Sequence, residues 1–202
     1  LTLWDKLCIS MRDNAGDFEF NAQDKQQVAD ILNANMFAAG MVLCSAGIPF
    51  MLSGEEFGRT KHGCDNSYNR GVLLNQLDWA RAEQFKPLVN WYKDLIALRA
   101  EHSALYDGKR KQLTTSNRTV LATRIGNNII VCANPMYHED ATIELPTIHS
   151  TKSKGWNCIL NSNDYYSDWT GSKPESDAFI ANEENNTTLH LPRRTFVVLS
   201  AK

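Results

Sequence analysis

Along the first half of the chain, apolar residues recur at helical spacing. From Asp24 to Met41, Val28, Ile31, Leu32, Met36 and Phe37 fall mostly at i, i+3, i+4 intervals. They form one stripe, which predicts a helix with Asn21 or Asp24 as its cap. From Phe85 to His102 a second apolar face comprises Leu88, Trp91, Tyr92, Leu95, Ile96 and Leu98, with Pro87 tolerated in the first turn. A shorter helix is expected over Leu3–Ile9. Between the long helices, Ile48–Leu52 is a brief apolar run bounded by Gly47 and Gly54. That pattern predicts a strand buried on both faces, as in a parallel sheet. Helix, buried strand, long loop, helix is the order found at the end of an α/β barrel. One strand makes no sheet, so most of such a barrel is expected to lie outside this chain.

After Gly108 the period changes to two. Thr119–Ile125, Asn128–Ala133, Ala141–Leu145, Thr187–Leu191 and Thr195–Leu199 alternate apolar and polar positions. Turn clusters separate them: Gly126-Asn127-Asn128, Asn134-Pro135 and Glu183-Glu184-Asn185-Asn186. Short strands at this spacing predict an antiparallel sandwich. The expected fold class is therefore α/β followed by all-β. Residues 1–107 read as the C-terminal remnant of a (β/α)8 barrel, and residues 108–202 as an antiparallel β-sandwich.

Composition narrows the function classes. The 202 residues are 43% hydrophobic and 22% charged with a formal net charge of −2, ordinary values for a globular chain. No basic footprint points to nucleic acid, and no apolar run reaches the roughly 18 residues of a membrane span. The five cysteines are widely spaced and, with the five histidines, show no metal-ligand pattern, so neither metal nor cofactor is expected. Unpaired thiols favour a reducing compartment such as the cytoplasm. The sequons at Asn117 and Asn186 carry no weight without a known compartment.

The most informative stretch is Gly47-Ile48-Pro49-Phe50-Met51-Leu52-Ser53-Gly54-Glu55-Glu56-Phe57-Gly58-Arg59-Thr60-Lys61-His62-Gly63-Cys64-Asp65-Asn66-Ser67-Tyr68-Asn69. It resembles the last barrel strand and following loop of the α-amylase superfamily, where the strand opens Gly-x-Pro and closes Gly-x-Glu. Arg-x-Lys followed by Asn-Ser-Tyr-Asn is similar to type I pullulanases in particular. Asn75-Gln76-Leu77-Asp78-Trp79 and the helical segment Trp91–Arg99 support the same subgroup. The opening Leu1–Leu7 is similar to the segment that follows a His-Asp-Asn motif after the family's seventh strand.

The resemblance implies a retaining hydrolase of α-1,6 branch linkages in pullulan, starch or glycogen. Such an enzyme works through two carboxylates about 5–5.5 Å apart. The family's nucleophile, acid/base and third stabilising carboxylate all fall before Leu1, so no catalytic residue is expected here and the fragment alone should be inactive. Glu55 and Glu56 are no substitute, because neighbours on a strand point to opposite faces; an ion pair with a nearby Arg is the simpler reading. The loop is the expected contact with α-glucan, through Arg59, Lys61, Asp65, Asn66 and Tyr68. These supply cationic donors, a carboxylate, an amide and an aromatic plane at the face where barrels of this kind build their sites.

Plainer readings compete at several positions. Arg59 and Lys61 are expected to pair with Glu55, Glu56 or Asp65. His62 reads as an exposed bystander, and Trp79, Trp91 and Tyr92 as packing residues. Tyr165, Tyr166 and Trp169 sit in a polar segment and read as anchors of a long loop rather than a surface sugar site. Asp5 and Asp13 read as solvated or capping. Two rival functions stand beside the first: part of an isoamylase or α-amylase, and a non-catalytic carbohydrate-binding or structural module. An unpaired barrel strand also leaves an apolar surface. The chain is therefore expected to self-associate, or to rearrange around Ile48–Leu52.

Overall fold

The computed structural model describes residues 1–11, 16–19, 25–148, 155–172, 176–183 and 186–201. The suggested caps Asn21 and Asp24, the carboxylate of Asp13, His149 and the Glu184-Asn185 turn lie outside them. The helical stripes form as expected. Helix α1 spans Leu3–Met11, α2 Lys25–Leu43 and α5 Lys86–Glu101. Short helices α3 (Val72–Asn75), α4 (Ala80–Gln84) and α6 (Ala104–Asp107) occupy the connections. Tryptophan and tyrosine join the two long helices. Trp91 Nε1 donates to the Met36 carbonyl at 2.8 Å, and the Tyr92 hydroxyl donates to Asn35 Oδ1 at 3.0 Å. Both rings are thus buried without orphaning their polar ends. Among the described residues, no helix is long and apolar enough to cross a membrane.

The second half carries strands β1 (Arg110–Gln112), β2 (Leu121–Ile125), β3 (Ile129–Asn134), β4 (Ala141–Leu145), β5 (Trp156–Asn161), β6 (Phe179–Glu183), β7 (Asn186–Leu191) and β8 (Thr195–Ala201), with α7 (Ser162–Thr170) after β5. They make an antiparallel sheet of order β1-β2-β3-β8-β5 and a smaller one of order β4-β7-β6. In β4, Ala141, Ile143 and Leu145 are buried while Thr142 and Glu144 are exposed, the alternation of a strand with one wet face. The central strands differ. Every residue of β3 is buried. Ile129, Val131 and Ala133 join one core with the helices, while Ile130 and Cys132 join another with the second sheet. Phe196 and Val198 of β8 likewise face the helices, and Val197 and Leu199 face the second sheet. The large sheet is therefore the middle of three layers.

Two expectations fail. Ile48–Leu52 forms no strand, and the described residues contain no parallel barrel sheet. Hydrophobicity does not make a strand without a neighbour to take its N–H and C=O groups. The run is left unpaired, with Ile48 96% and Phe50 92% exposed, although Met51 packs against the helical core. What does form is a mixed fold, helices packed on antiparallel sheets. The polar segment 161–169 is also not a loop. Asn161 caps α7 by accepting from the Asn163 N–H at 3.1 Å, and Gly171 ends the helix in the left-handed conformation. Its aromatics do anchor it. Tyr165 packs edge-on to Trp91 at 5.0 Å and donates to Asp94, and Trp169 lies 5.5 Å from Phe85.

The layers approach closely at Gly40 in α2. A Cβ there would lie 2.8 Å from the Phe196 ring, which Phe37 and Trp91 hold edge-on at 6.0 Å each. Elsewhere in a helix, Gly→Ala gains about 1 kcal/mol. Here overpacking costs about 1–3 kcal/mol and reverses the sign. Gly40→Ala is expected to lower the thermal unfolding midpoint; a higher midpoint would show that the ring yields.

Candidate functional site: a loop anchored from behind

The loop after Leu52 is organised by buried polar groups. Thr2 and Asp5 form a capping box at the start of α1. The Asp5 N–H donates to Thr2 Oγ1, and the Thr2 N–H donates to Asp5 Oδ2, both at 3.1 Å. The same carboxylate accepts from the Thr60 hydroxyl and from the Lys61 N–H, the latter at 3.1 and 3.2 Å. Asp5 is fully buried. It caps, as one reading expected, but it is not solvated: it ties the loop to α1.

Arg81, on α4, is the second anchor. Its Nε and Nη2 donate to the Gly58 carbonyl at 3.1 and 2.7 Å, and Nη1 donates to Glu19 Oε2 at 2.9 Å. The guanidinium carbon sits 5.1 Å from each of the Trp4 and Phe85 rings, at cation–π distance. Burial lowers its pKa, opposed first by Glu19. Gly58 itself has φ +64°, and a Cβ would lie 2.7 Å from the Trp4 ring, so only glycine fits that turn. Glu19 Oε1 also lies 3.3 Å from His62 Nδ1, so His62, although exposed, has a partner.

Arg59 and Lys61 turn inward, but not to carboxylates as expected. Arg59 Nη1 donates to the Ser53 carbonyl at 3.0 Å, and Nη2 donates to the Asn75 carbonyl. Lys61 Nζ donates to the Ser67 hydroxyl. Asn75 completes the frame by donating to the Ser67 carbonyl at 2.8 Å and the Arg70 carbonyl at 3.0 Å. Glu55 and Glu56 lie in a single 3-10 turn, Glu55–Phe57, and make no ion pair with arginine among the described residues. Glu56 instead accepts from the Gly54 N–H at 2.9 Å. Backbone carbonyls and the Ser67 hydroxyl take the place of the anticipated counter-ions.

The other three expected contacts face outward. Asp65, Asn66 and Tyr68 are exposed, Tyr68 by 83%. Trp79, expected to be packed, leans on Phe57 at 5.5 Å yet stays 66% exposed. Behind the rim a cleft of about 310 Å³ is lined by Arg59, Thr60, His62, Asp78 and Arg81 among others, whereas Asp65, Asn66 and Tyr68 stand outside it. Amide, carboxylate and flat rings at the rim suit polyhydroxyl ligands by hydrogen bonding and stacking. Among the described residues, no group of three potential metal ligands occurs.

The pullulanase of Bacillus subtilis (strain 168) is 37% identical over 103 residues, 51% of this chain and 13% of that protein. The glycogen debranching enzyme of Yersinia pseudotuberculosis serotype O:1b (strain IP 31758) is 28% identical over 137 residues, 57% of this chain and 20% of that protein. The pullulanase structure from Bacillus acidopullulyticus superposes with a TM-score of 0.69 at 28% identity, covering 99% of this chain and 23% of that one. No family model matches the chain. The chain is similar to pullulanases over most of its residues and spans less than a quarter of the length of each of these relatives.

Glu55 provides a pH test of the loop's inner face. Burial raises its carboxyl pKa, offset in part by a hydrogen bond from Leu52 and by Lys6. A raised carboxyl favours the folded state less and less as pH rises past the ordinary glutamate value. Glu55→Gln is therefore expected to raise the unfolding midpoint at pH 7 and to leave it unchanged below that value. Midpoints measured from pH 3.5 to 8 check this; a gain that persists at acid pH would contradict it.

Proposed function

We propose that this chain is the C-terminal segment of an α-glucan debranching glycosidase that cleaves α-1,6 linkages in pullulan, starch or glycogen by the retaining route. Residues 1–107 would end the catalytic barrel and residues 108–202 form its accessory sandwich. The catalytic carboxylates would lie outside residues 1–202. One observation carries the reading. The loop from Arg59 to Asn69 is fixed from behind by Asp5, Arg59 and Arg81, while Asp65, Asn66 and Tyr68 are left facing solvent. That is how a wall of a sugar site is prepared: rigid support, free recognition groups. Pullulanase and glycogen debranching enzyme as relatives point to the same substrate class.

The Ile48–Leu52 run fits the same reading. In a longer chain it would pair with barrel strands; in this chain alone its exposed Ile48 and Phe50 favour self-association. Two expected outcomes test the proposal. The 202-residue chain releases no reducing ends from pullulan and sediments as an oligomer, which Ile48→Ser with Phe50→Ser dissociates. Within a protein of the relatives' full length, pullulan and glycogen are cleaved in preference to linear starch, and Tyr68→Ala lowers kcat/KM on pullulan about tenfold, a typical loss for one stacking contact. Hydrolysis by the chain alone, or an unaffected Tyr68→Ala enzyme, would overturn it.

A further inference from the structure

A polar cavity of about 620 Å³ lies where the start of α2, the helix α7 and the Pro192–Arg194 turn converge, and it shares no lining residue with the loop cleft. Its volume is within the range of small-molecule sites. Three of its walls are held in place. Arg194 adopts φ +55°, donates through Nη1 to Asp30 at 2.9 Å, and lies 5.0 Å over the Tyr137 ring. Asn163 is buried and accepts from the Thr195 hydroxyl at 3.2 Å. Tyr166 is half-buried, and its hydroxyl accepts from Gln26 Nε2 at 3.1 Å, which leaves the phenolic proton free to donate.

Asn33 is the anomaly. It is only 7% exposed, it lines the cavity, and among the described residues its side-chain amide has no hydrogen-bond partner. Buried amides are ordinarily satisfied, so one left open to a cavity marks a place for a polar ligand. Two neutral groups are left unspent around it, the Asn33 amide and the Tyr166 proton. An amide donates and accepts at once, and so does a sugar hydroxyl. The Tyr166 ring offers a partly apolar wall. Lys25, Arg193 and Arg194 also border the cavity, and of these Arg194 is matched by Asp30; competition by phosphate separates a sugar from an anion.

We propose that this cavity is a second glucan-binding site, in which Asn33 and Tyr166 hold a short maltooligosaccharide apart from the loop that faces the scissile bond. The choice of an α-glucan rests on the function proposed above; the cavity and the unpaired Asn33 do not. The probe is maltotriose, titrated into the isotope-labelled chain and followed by NMR, with inorganic phosphate as competitor. Saturable shifts are expected at Gln26, Asn33 and Tyr166. Asn33→Ala is expected to raise Kd about tenfold, as for loss of one buried hydrogen-bonding group, and Tyr166→Phe several-fold, both with unchanged circular dichroism. Tyr68→Ala leaves this affinity unaltered. Absence of saturable shifts, a Kd indifferent to both cavity variants, or displacement of maltotriose by phosphate would each overturn the proposal. A full-length enzyme inactive on pullulan would instead sink the function without altering this Kd.

Discussion

The structure depends on a sheet whose central strands are dry on both faces. β3 and the first five residues of β8 are buried throughout, and their side chains divide between two cores. Each large apolar side chain so placed contributes about 1.5–3 kcal/mol relative to exposure. None of that is gained unless both faces are covered. The second sheet covers one. On the other, α2, α5 and α7 converge on Phe196, whose ring meets Phe37 and Trp91 edge-on and leaves no room for a side chain at Gly40. The helices are thus not a detached neighbour of the sandwich but its outer layer.

The loop that carries the candidate site inherits its rigidity from the same helices. Asp5 on α1 and Arg81 on α4 reach into it, and each satisfies backbone groups that a buried loop would otherwise strand. Arg59 does likewise from within, and Lys61 holds the Ser67 hydroxyl. Charged residues are therefore spent on shape at the back of the loop, while uncommitted polar and aromatic groups stand in front. The arrangement separates positioning from recognition.

Much of this was legible in the chain. The helical period identified α1, α2 and α5, and the two-residue period identified β2, β3, β4, β7 and β8. β1, β5 and β6 escaped notice: β1 is three charged or polar residues at an edge, and neither β5 nor β6 alternates cleanly. α7 was hidden because Ser162, Asn163 and Asp164 favour caps and turns, and it is tertiary packing of Tyr165 and Trp169 that makes them helical. Ile48–Leu52 was misread because apolarity measures burial demand, not the presence of a partner. In the site, Thr2-x-x-Asp5 was a readable capping signal, but nothing marked Asp5 as the acceptor for Lys61 fifty-six residues away. The partners of Arg59 and Arg81 are carbonyls, which every residue has and no sequence pattern singles out.

The shared layer at Phe196 bears on how such proteins can be recombined. Modular exchange, in evolution or by design, is usually cut where composition changes, which here is Asp107-Gly108. A cut there would strip α2 and α5 from the sheet face they cover and bare Ile129, Val131, Phe196 and Val198 to water. The heritable module is then the sandwich together with the matching surface of two helices. A donor sandwich would be accepted by a foreign host only if residues such as Gly40, Trp91 and Phe196 travelled or changed together, so the joint between the two halves is a packed seam rather than a hinge.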